Sequence, residues 1–334
     1  MKISASIYSD NKRPLKEVID DLIDHKVDLL HVDCNDDLTV FQDIAQIRTW
    51  TNTPIDLHII SETPEKYFDL LRQNPVEYVT FQYEQLKEGF AIPADISGKK
   101  GLAVITPTSI EVFKHFPEMD FILIMATIPG QSGGVFDALN FSKIRQFRNQ
   151  FPGKAIHVDG GVNGEVSFIL RNLGVRSSVS GSYLFKAPSI GHALMDLTSR
   201  ELDSQYKIKD FMIPIEEAPS VALEQLSNEK ILYSIENGNL GFCLVTDQEG
   251  KLYGLVSNAD IRRGLLRNLS DFNGMTPINL VNKKPVTLDE EMTVVDMMKV
   301  IRNCPFQVTY LPVIDSMGRA KGIVTFVNLI KGEL

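Results

Sequence analysis

Eight short apolar runs spaced through the first 200 residues constrain this chain more than any other feature. They are KISASI, LLHVD, PIDLHII, VEYVTF, GLAVIT, FILIMA, KAIHVD and RSSVSG. Each has the length of a strand, and amphipathic stretches of roughly ten or more residues separate them. In the first such stretch Leu15, Val18, Ile19, Leu22 and Ile23 fall at helical spacing. Eight β/α units predict an α/β fold, a (β/α)8 TIM barrel. A doubly wound open sheet reads the same way, but it does not require eight units. It also usually opens with a glycine-rich turn, and none follows the first run here.

At 334 residues with 43% hydrophobic content the chain exceeds one ordinary domain. The barrel is expected over 1–200. Charged residues replace the periodic pattern in ELDSQYKIK, which reads as a linker over 201–209. The rest repeats itself: FMIPI is echoed by GMTPI, and VTDQEGKLYGLVSNADI by VIDSMGRAKGIVTFVNLI. A period of roughly 63 to 68 residues marks two copies of one unit, about 210–268 and 272–334, in a smaller α+β module. Neither copy is expected to fold stably alone.

Other classes are disfavoured. No run of about 18 apolar residues appears, and MKISASIYSD lacks the pattern of a signal peptide, so a cytoplasmic chain with no membrane partner is expected. Three widely spaced cysteines without CxxC spacing argue for reduced thiols. A net charge of -9 without a basic block disfavours nucleic acid, though small anions can bind locally.

In such a barrel the C-terminal strand ends converge on one face, so polar side chains closing apolar runs are the candidates for chemistry. His31 and Asp33 lie two apart in LLHVD and share one side of their strand; His58 closes IDLHI and Asp159 closes IHVDGG. Singly, an inward histidine is more often a core residue and a strand-end aspartate a helix cap. Together, two imidazoles and two carboxylates suit one divalent ion, zinc, iron, manganese or cobalt, without choosing among them. Two carboxylates beside one metal also suit epimerisation: one removes a proton next to a carbonyl, the ion stabilises the enediolate, and the other carboxylate returns a proton to the opposite face. Gly160, Gly161, Gly181 and Ser182 lie where barrels bind phosphate with backbone N–H groups, or serve only as turn residues. Pro129, Gly130, Gly133 and Gly134 in PGQSGG read either as a loop closing over substrate or as a plain long connection.

In order, SASIYS, LHVDCND, DLHII, LIMATIPGQSGGVF, HVDGGV and VSGS resemble the motifs of the ribulose-phosphate 3-epimerase family across the whole first domain. The resemblance implies that Ser6 contacts a ketose phosphate substrate, that His31, Asp33, His58 and Asp159 hold the metal, and that Asp33 and Asp159 are the acid–base pair. It also implies that Gly130 and Gly133 lie against substrate and that Gly160, Gly161, Gly181 and Ser182 hold its phosphate. The chain departs from the family pattern at Asn35, Asp36 and Asp37, which replace Met-Asp-Gly. Ile59 and Ile60 stand in the methionine region, and Gln82 stands for the fourth-strand histidine. These changes make the wall near Asn35 and Asp37 more acidic, and a hexulose or heptulose phosphate is an alternative substrate.

In the second region each copy ends on a strand, a hydroxyl residue and a helix, in GLVSNADIRR and GIVTFVNLIK. A Ser or Thr there caps the helix or contacts phosphate, and a first-turn carboxylate can accept from ribose hydroxyls. The repeats resemble the cystathionine-β-synthase-type (CBS) pair, which implies an AMP- or ATP-type ligand between the copies, on Ser257, Asp260, Thr325 and Asn328. Asn328 carries no charge, so the first ribose site is the more intact. SNADIRRGLLRN is also similar to modules of enzymes making sugars for surface polysaccharides. Such pairs also serve only for dimerisation, and a homo-oligomer is expected. Two further alternatives are a catalytically silent nucleotide sensor and a metal-independent phosphosugar-binding barrel.

Overall fold

In the computed structural model, which describes residues 1–127, 133–198, 205–269 and 275–326, the chain divides into two compact units. The first is a closed barrel of eight strands in chain order: β1 (Lys2–Ser6), β2 (Leu29–Asn35), β3 (Ile55–Ile60), β4 (Tyr78–Gln82), β5 (Lys99–Ile105), β6 (Phe121–Met125), β7 (Ala155–Asp159) and β8 (Ser177–Ser180). All neighbours pair in parallel, and β1 closes on β8 with Lys2 opposite Ser177 and Ala5 opposite Ser180. Parallel strands need crossovers, and helices supply most of them: α1 (Leu15–Asp24), α2 (Val40–Trp50), α3 (Phe68–Gln73), α4 (Leu139–Gln150) and α5 (Gly164–Asn172); α6 (Ser182–Lys186) and α7 (Ile190–Thr198) follow the last strand. On α1 the periodic Val18, Ile19 and Leu22 are the buried face.

Two crossovers differ from the expected pattern. β4 is followed by a single 3-10 turn, Tyr83–Gln85, and β5 by a 3-10 helix, Ile110–His115. After β4, Gly89 and Gly98 take positive φ, of 84° and 80°, and Pro93 lies between them, so helical hydrogen bonding cannot propagate.

The barrel interior is divided. One part is apolar, with Ala103, Phe121, Leu123 and Met125 packed together and the His157 ring stacked on Phe121 at 4.1 Å. The other is polar, and its buried side chains include Ser4, His31, Asp56, His58 and Gln82.

The second unit consists of α8 (Ile208–Phe211), β9 (Ile213–Pro214), β10 (Ser220–Ala222), α9 (Asn228–Gly238), β11 (Phe242–Thr246), β12 (Leu252–Ser257), α10 (Asn258–Arg267), β13 (Leu288–Asp289), α11 (Val294–Asn303), β14 (Tyr310–Ile314) and β15 (Ala320–Thr325). The sheet orders are β10-β11-β12 and β13-β14-β15-β9. The two sequence copies are therefore interleaved. β9, from the FMIPI segment that opens the first copy, pairs with β15 of the second, and Asn282, which follows GMTPI, bridges to Leu255 of the first. Phe242, Leu244, Leu255 and Ile323 share one core cluster, with Phe242 stacked on Tyr310 at 3.7 Å. Separating the copies would open that core, which is the physical reason they occur together. Among the described residues no helix is long and apolar enough to cross a membrane.

Candidate metal and phosphate site

Period-two alternation turns His31 and Asp33 of β2 and Asp56 and His58 of β3 into the barrel, and register sets His31 opposite Asp56 and Asp33 opposite His58. The structure brings His31, Asp33, His58 and Asp159 together, with one candidate ligand atom from each lying within 4.8 Å of the others.

Each imidazole is held from behind. His31 Nδ1 lies 3.1 Å from Asp56 Oδ2, which also accepts from Ser4 Oγ at 3.0 Å. A carboxylate only accepts, so Nδ1 carries the proton and Nε2 faces the cluster, 3.2 Å from Asp33 Oδ1 and 3.7 Å from Asp159 Oδ2. His58 Nε2 lies 2.9 Å from Gln82 Oε1, while Nδ1, 3.4 Å from Asp33 Oδ1, is buried without a hydrogen-bond partner.

The electrostatics are those of a site short of positive charge. Burial alone would lower the pKa of His31, but Asp33 and Asp56 raise it well above the ordinary imidazole value. Burial likewise opposes ionisation of Asp33, and the neighbouring His31 and His58 hold it well below the usual carboxylate range. For Asp159 burial prevails: its carboxyl is pushed up to about 6, with His31 opposing the rise and the Asp33 charge adding to it. Two carboxylates and two ring nitrogens converging in a low-dielectric interior, the His58 nitrogen without a hydrogen-bond partner and the His31 nitrogen able to exchange its proton for a cation, fit a divalent cation of borderline hardness. Outer partners that fix both rings are the usual accompaniment of metal-binding histidines.

The expected phosphate elements lie around the same barrel mouth. Gly160 and Gly161 have φ of 109° and 67°. A Cβ at Gly161 would stand 2.3 Å from Phe136 N, and one at Gly160 2.3 Å from Thr127 Oγ1. Ser6 closes β1, with its Oγ 3.1 Å from that of Ser9, and Ser9 in turn abuts Gly181. A Cβ at Gly133 would lie 3.8 Å from both Ser182 Oγ and Lys186 Nζ, so this end of the loop approaches α6. Pro129 and Gly130 lie outside the described residues.

In the second unit Ser257 caps α10. Its Oγ accepts from Asp260 N at 3.3 Å, and Asp260 Oδ2 accepts from Ser257 N at 2.9 Å. Asp260 Oδ1 also pairs with Arg263 at 2.5 Å. Thr325 pairs in register with Tyr310, and Ser257 with Phe242, so the Phe242–Tyr310 stack brings the two strand ends together. Asn328 lies outside the described residues.

Strand-end reading missed Asp56 and the chain beyond Gln82, whose Nε2 donates to Glu84. Asp56 had a signal, since it precedes His58 by two and shares its side.

Comparison with known proteins matches residues 2–185 to the model of the ribulose-phosphate 3 epimerase family and residues 278–333 to that of the CBS domain. Ribulose-phosphate 3-epimerase of Bacillus subtilis is 26% identical over 200 residues, 55% of this chain and 92% of that protein. The protein of the same name from Methanocaldococcus jannaschii is 26% identical over 226 residues, 64% of this chain and 95% of its own length. Among solved structures, the CBS-pair protein CBSX2 from Arabidopsis thaliana is 23% identical, with 38% of this chain and 94% of that chain covered at a TM-score of 0.32.

Proposed function

The chain belongs to the ribulose-phosphate 3-epimerase family of isomerases, and from that premise we propose that it inverts the carbon next to the carbonyl of a ketose phosphate of the ribulose 5-phosphate/xylulose 5-phosphate type. The family is one of sugar-phosphate epimerases; the particular substrate, the metal set and the residue roles are the reading advanced here. The observation that carries it is the convergence of Asp33, Asp159 and the two ring nitrogens.

His31, Asp33, His58 and Asp159 would hold one divalent ion. When bound, that ion supplies positive charge next to the substrate's oxygens, lowering the cost of the negative charge that develops there. The protein groups do the rest. One carboxylate, Asp33 or Asp159, takes the proton from C3, leaving its electron pair in the enediolate. The other delivers a proton to the opposite face of C3, and the first proton returns to solvent. Ser6 and the Gly133 and Gly130 loop contact the substrate, while Gly160, Gly161, Gly181 and Ser182 hold the phosphate by backbone N–H groups and a hydroxyl.

A longer ketose phosphate is the second reading. It is favoured by Asn35 and Asp37, exposed polar residues at the end of β2. Following epimer formation by NMR with pentulose, hexulose and heptulose phosphates, with and without chelator, ranks these substrates. Absence of turnover on all of them would favour a nucleotide sensor instead.

For the second unit we propose an adenine nucleotide between the copies, with Ser257 toward phosphate and Asp260 toward ribose. Binding there requires Asp260 to leave Arg263 or share it. Calorimetric titration of the full chain with AMP and ATP tests this, and a mass unchanged by nucleotide but larger than one chain would favour a purely dimerising module.

A further inference from the structure

Gln82 stands where the family pattern carries a histidine, and its two ends have opposite hydrogen-bonding character. The Glu84 carboxylate only accepts, so the Nε2 amide of Gln82 faces Glu84 and Oε1 faces His58. Glu84 is itself fixed: its Oε1 accepts from Ile105 N at 3.1 Å and from the Thr108 hydroxyl. The polarity of the chain therefore runs one way, from Ile105 and Thr108 through Glu84 and Gln82 to the ring. An acceptor 2.9 Å from His58 Nε2 demands a proton on that nitrogen. A neutral imidazole protonated at Nε2 has its lone pair on Nδ1, the buried atom without a partner.

We infer that Gln82, oriented by Glu84, is a positioning residue that fixes His58 in its Nε2–H tautomer and so presents Nδ1 to the metal. The inference rests on the metal reading proposed above. It also makes the two ligand histidines unlike: Asp56 accepts the hydrogen bond of His31 Nδ1–H, which leaves Nε2 to the metal, whereas Gln82 Oε1 accepts that of His58 Nε2–H and leaves Nδ1.

The test uses the full chain loaded with zinc and labelled with 15N-histidine. Long-range 1H–15N NMR reports the tautomer of each ring, and competition with a chromophoric chelator reports affinity. In the wild type His58 should be protonated at Nε2 and His31 at Nδ1. Gln82→Leu should weaken zinc binding by about 10- to 100-fold and mix the His58 tautomers. Gln82→His should restore both, because one ring nitrogen can donate to Glu84 while the other accepts from His58. Should Gln82→Leu not fold, Glu84→Gln at an exposed position is read in its place. Wild-type affinity together with an unchanged tautomer in the variant overturns the inference alone. A wild-type chain that takes up no divalent metal overturns the metal reading and the inference with it.

Discussion

Replacing Gly161 with alanine separates the phosphate loop from an ordinary turn. Its φ of 67° is left-handed, which costs an alanine about 1 kcal/mol. The added Cβ would stand 2.3 Å from Phe136 N and 2.8 Å from Phe136 Cα and Val135 C, all backbone atoms that cannot rotate away. The loop must retreat by about 1 Å to reach ordinary contact, a displacement of the size that costs enzymes up to roughly 100-fold. Losing one charge-assisted hydrogen bond to phosphate, about 1.5–3 kcal/mol, gives a similar figure of roughly 10- to 150-fold. Gly161→Ala should therefore lower kcat/KM by that factor, mainly through KM. Strain plus overpacking of about 2–4 kcal/mol should also lower the melting temperature of the barrel by several degrees. Gly153→Ala is the control: φ is 91° but nothing lies within 4 Å of the added carbon, so it should show a small loss of stability and unchanged kinetics. Steady-state kinetics and calorimetry decide the matter. If Gly161→Ala behaves like Gly153→Ala, the loop does not hold phosphate.

Asp56→Asn removes the charge behind His31 while keeping its shape, and metal affinity measured by chelator competition should fall about 10-fold, with the fold intact. In the second unit Asp315 accepts from Met317 N and Arg319 N, both at 2.9 Å, and from Arg319 Nε at 2.8 Å. Burial opposes its ionisation, but these donors hold its carboxyl below the usual range. A depressed carboxyl contributes stability above its unfolded pKa of about 4 and loses it as pH falls through the folded value. Asp315→Ala should thus melt below the wild type at pH 7, and the gap should close as pH is lowered toward 2.

Much of the barrel was legible because buried parallel strands leave uninterrupted apolar runs, and the metal candidates were legible because polar residues close those runs. His31, Asp33, His58 and Asp159 needed only the rule that strand ends converge. Asp56 was harder, since a mid-strand aspartate gives no sign of which neighbour it faces until register sets it opposite His31. Gln82 was visible as a departure from a pattern, but its orientation depends on Glu84, Ile105 and Thr108 arriving from the next turn and strand. The turn after β4 escaped because a stretch of more than ten residues between two strands reads as a helix unless Gly89, Pro93 and Gly98 are weighed against it. The two repeats were evident, whereas the exchange of β9 and Asn282 between them was not, because such pairing depends on residues that are distant in the chain.

The central claim is that Asp33 and Asp159 serve opposite faces of one carbon. The most direct test is deuterium exchange at C3 in D₂O, followed by NMR from each epimer separately, with metal-loaded wild type, Asp33→Asn and Asp159→Asn matched for metal content. The wild type should wash deuterium into C3 while forming the other epimer. Each variant should stop inversion, and each should retain exchange from only one epimer, the opposite one in the two variants. Exchange from both epimers in either variant, or inversion surviving in one, would contradict the account.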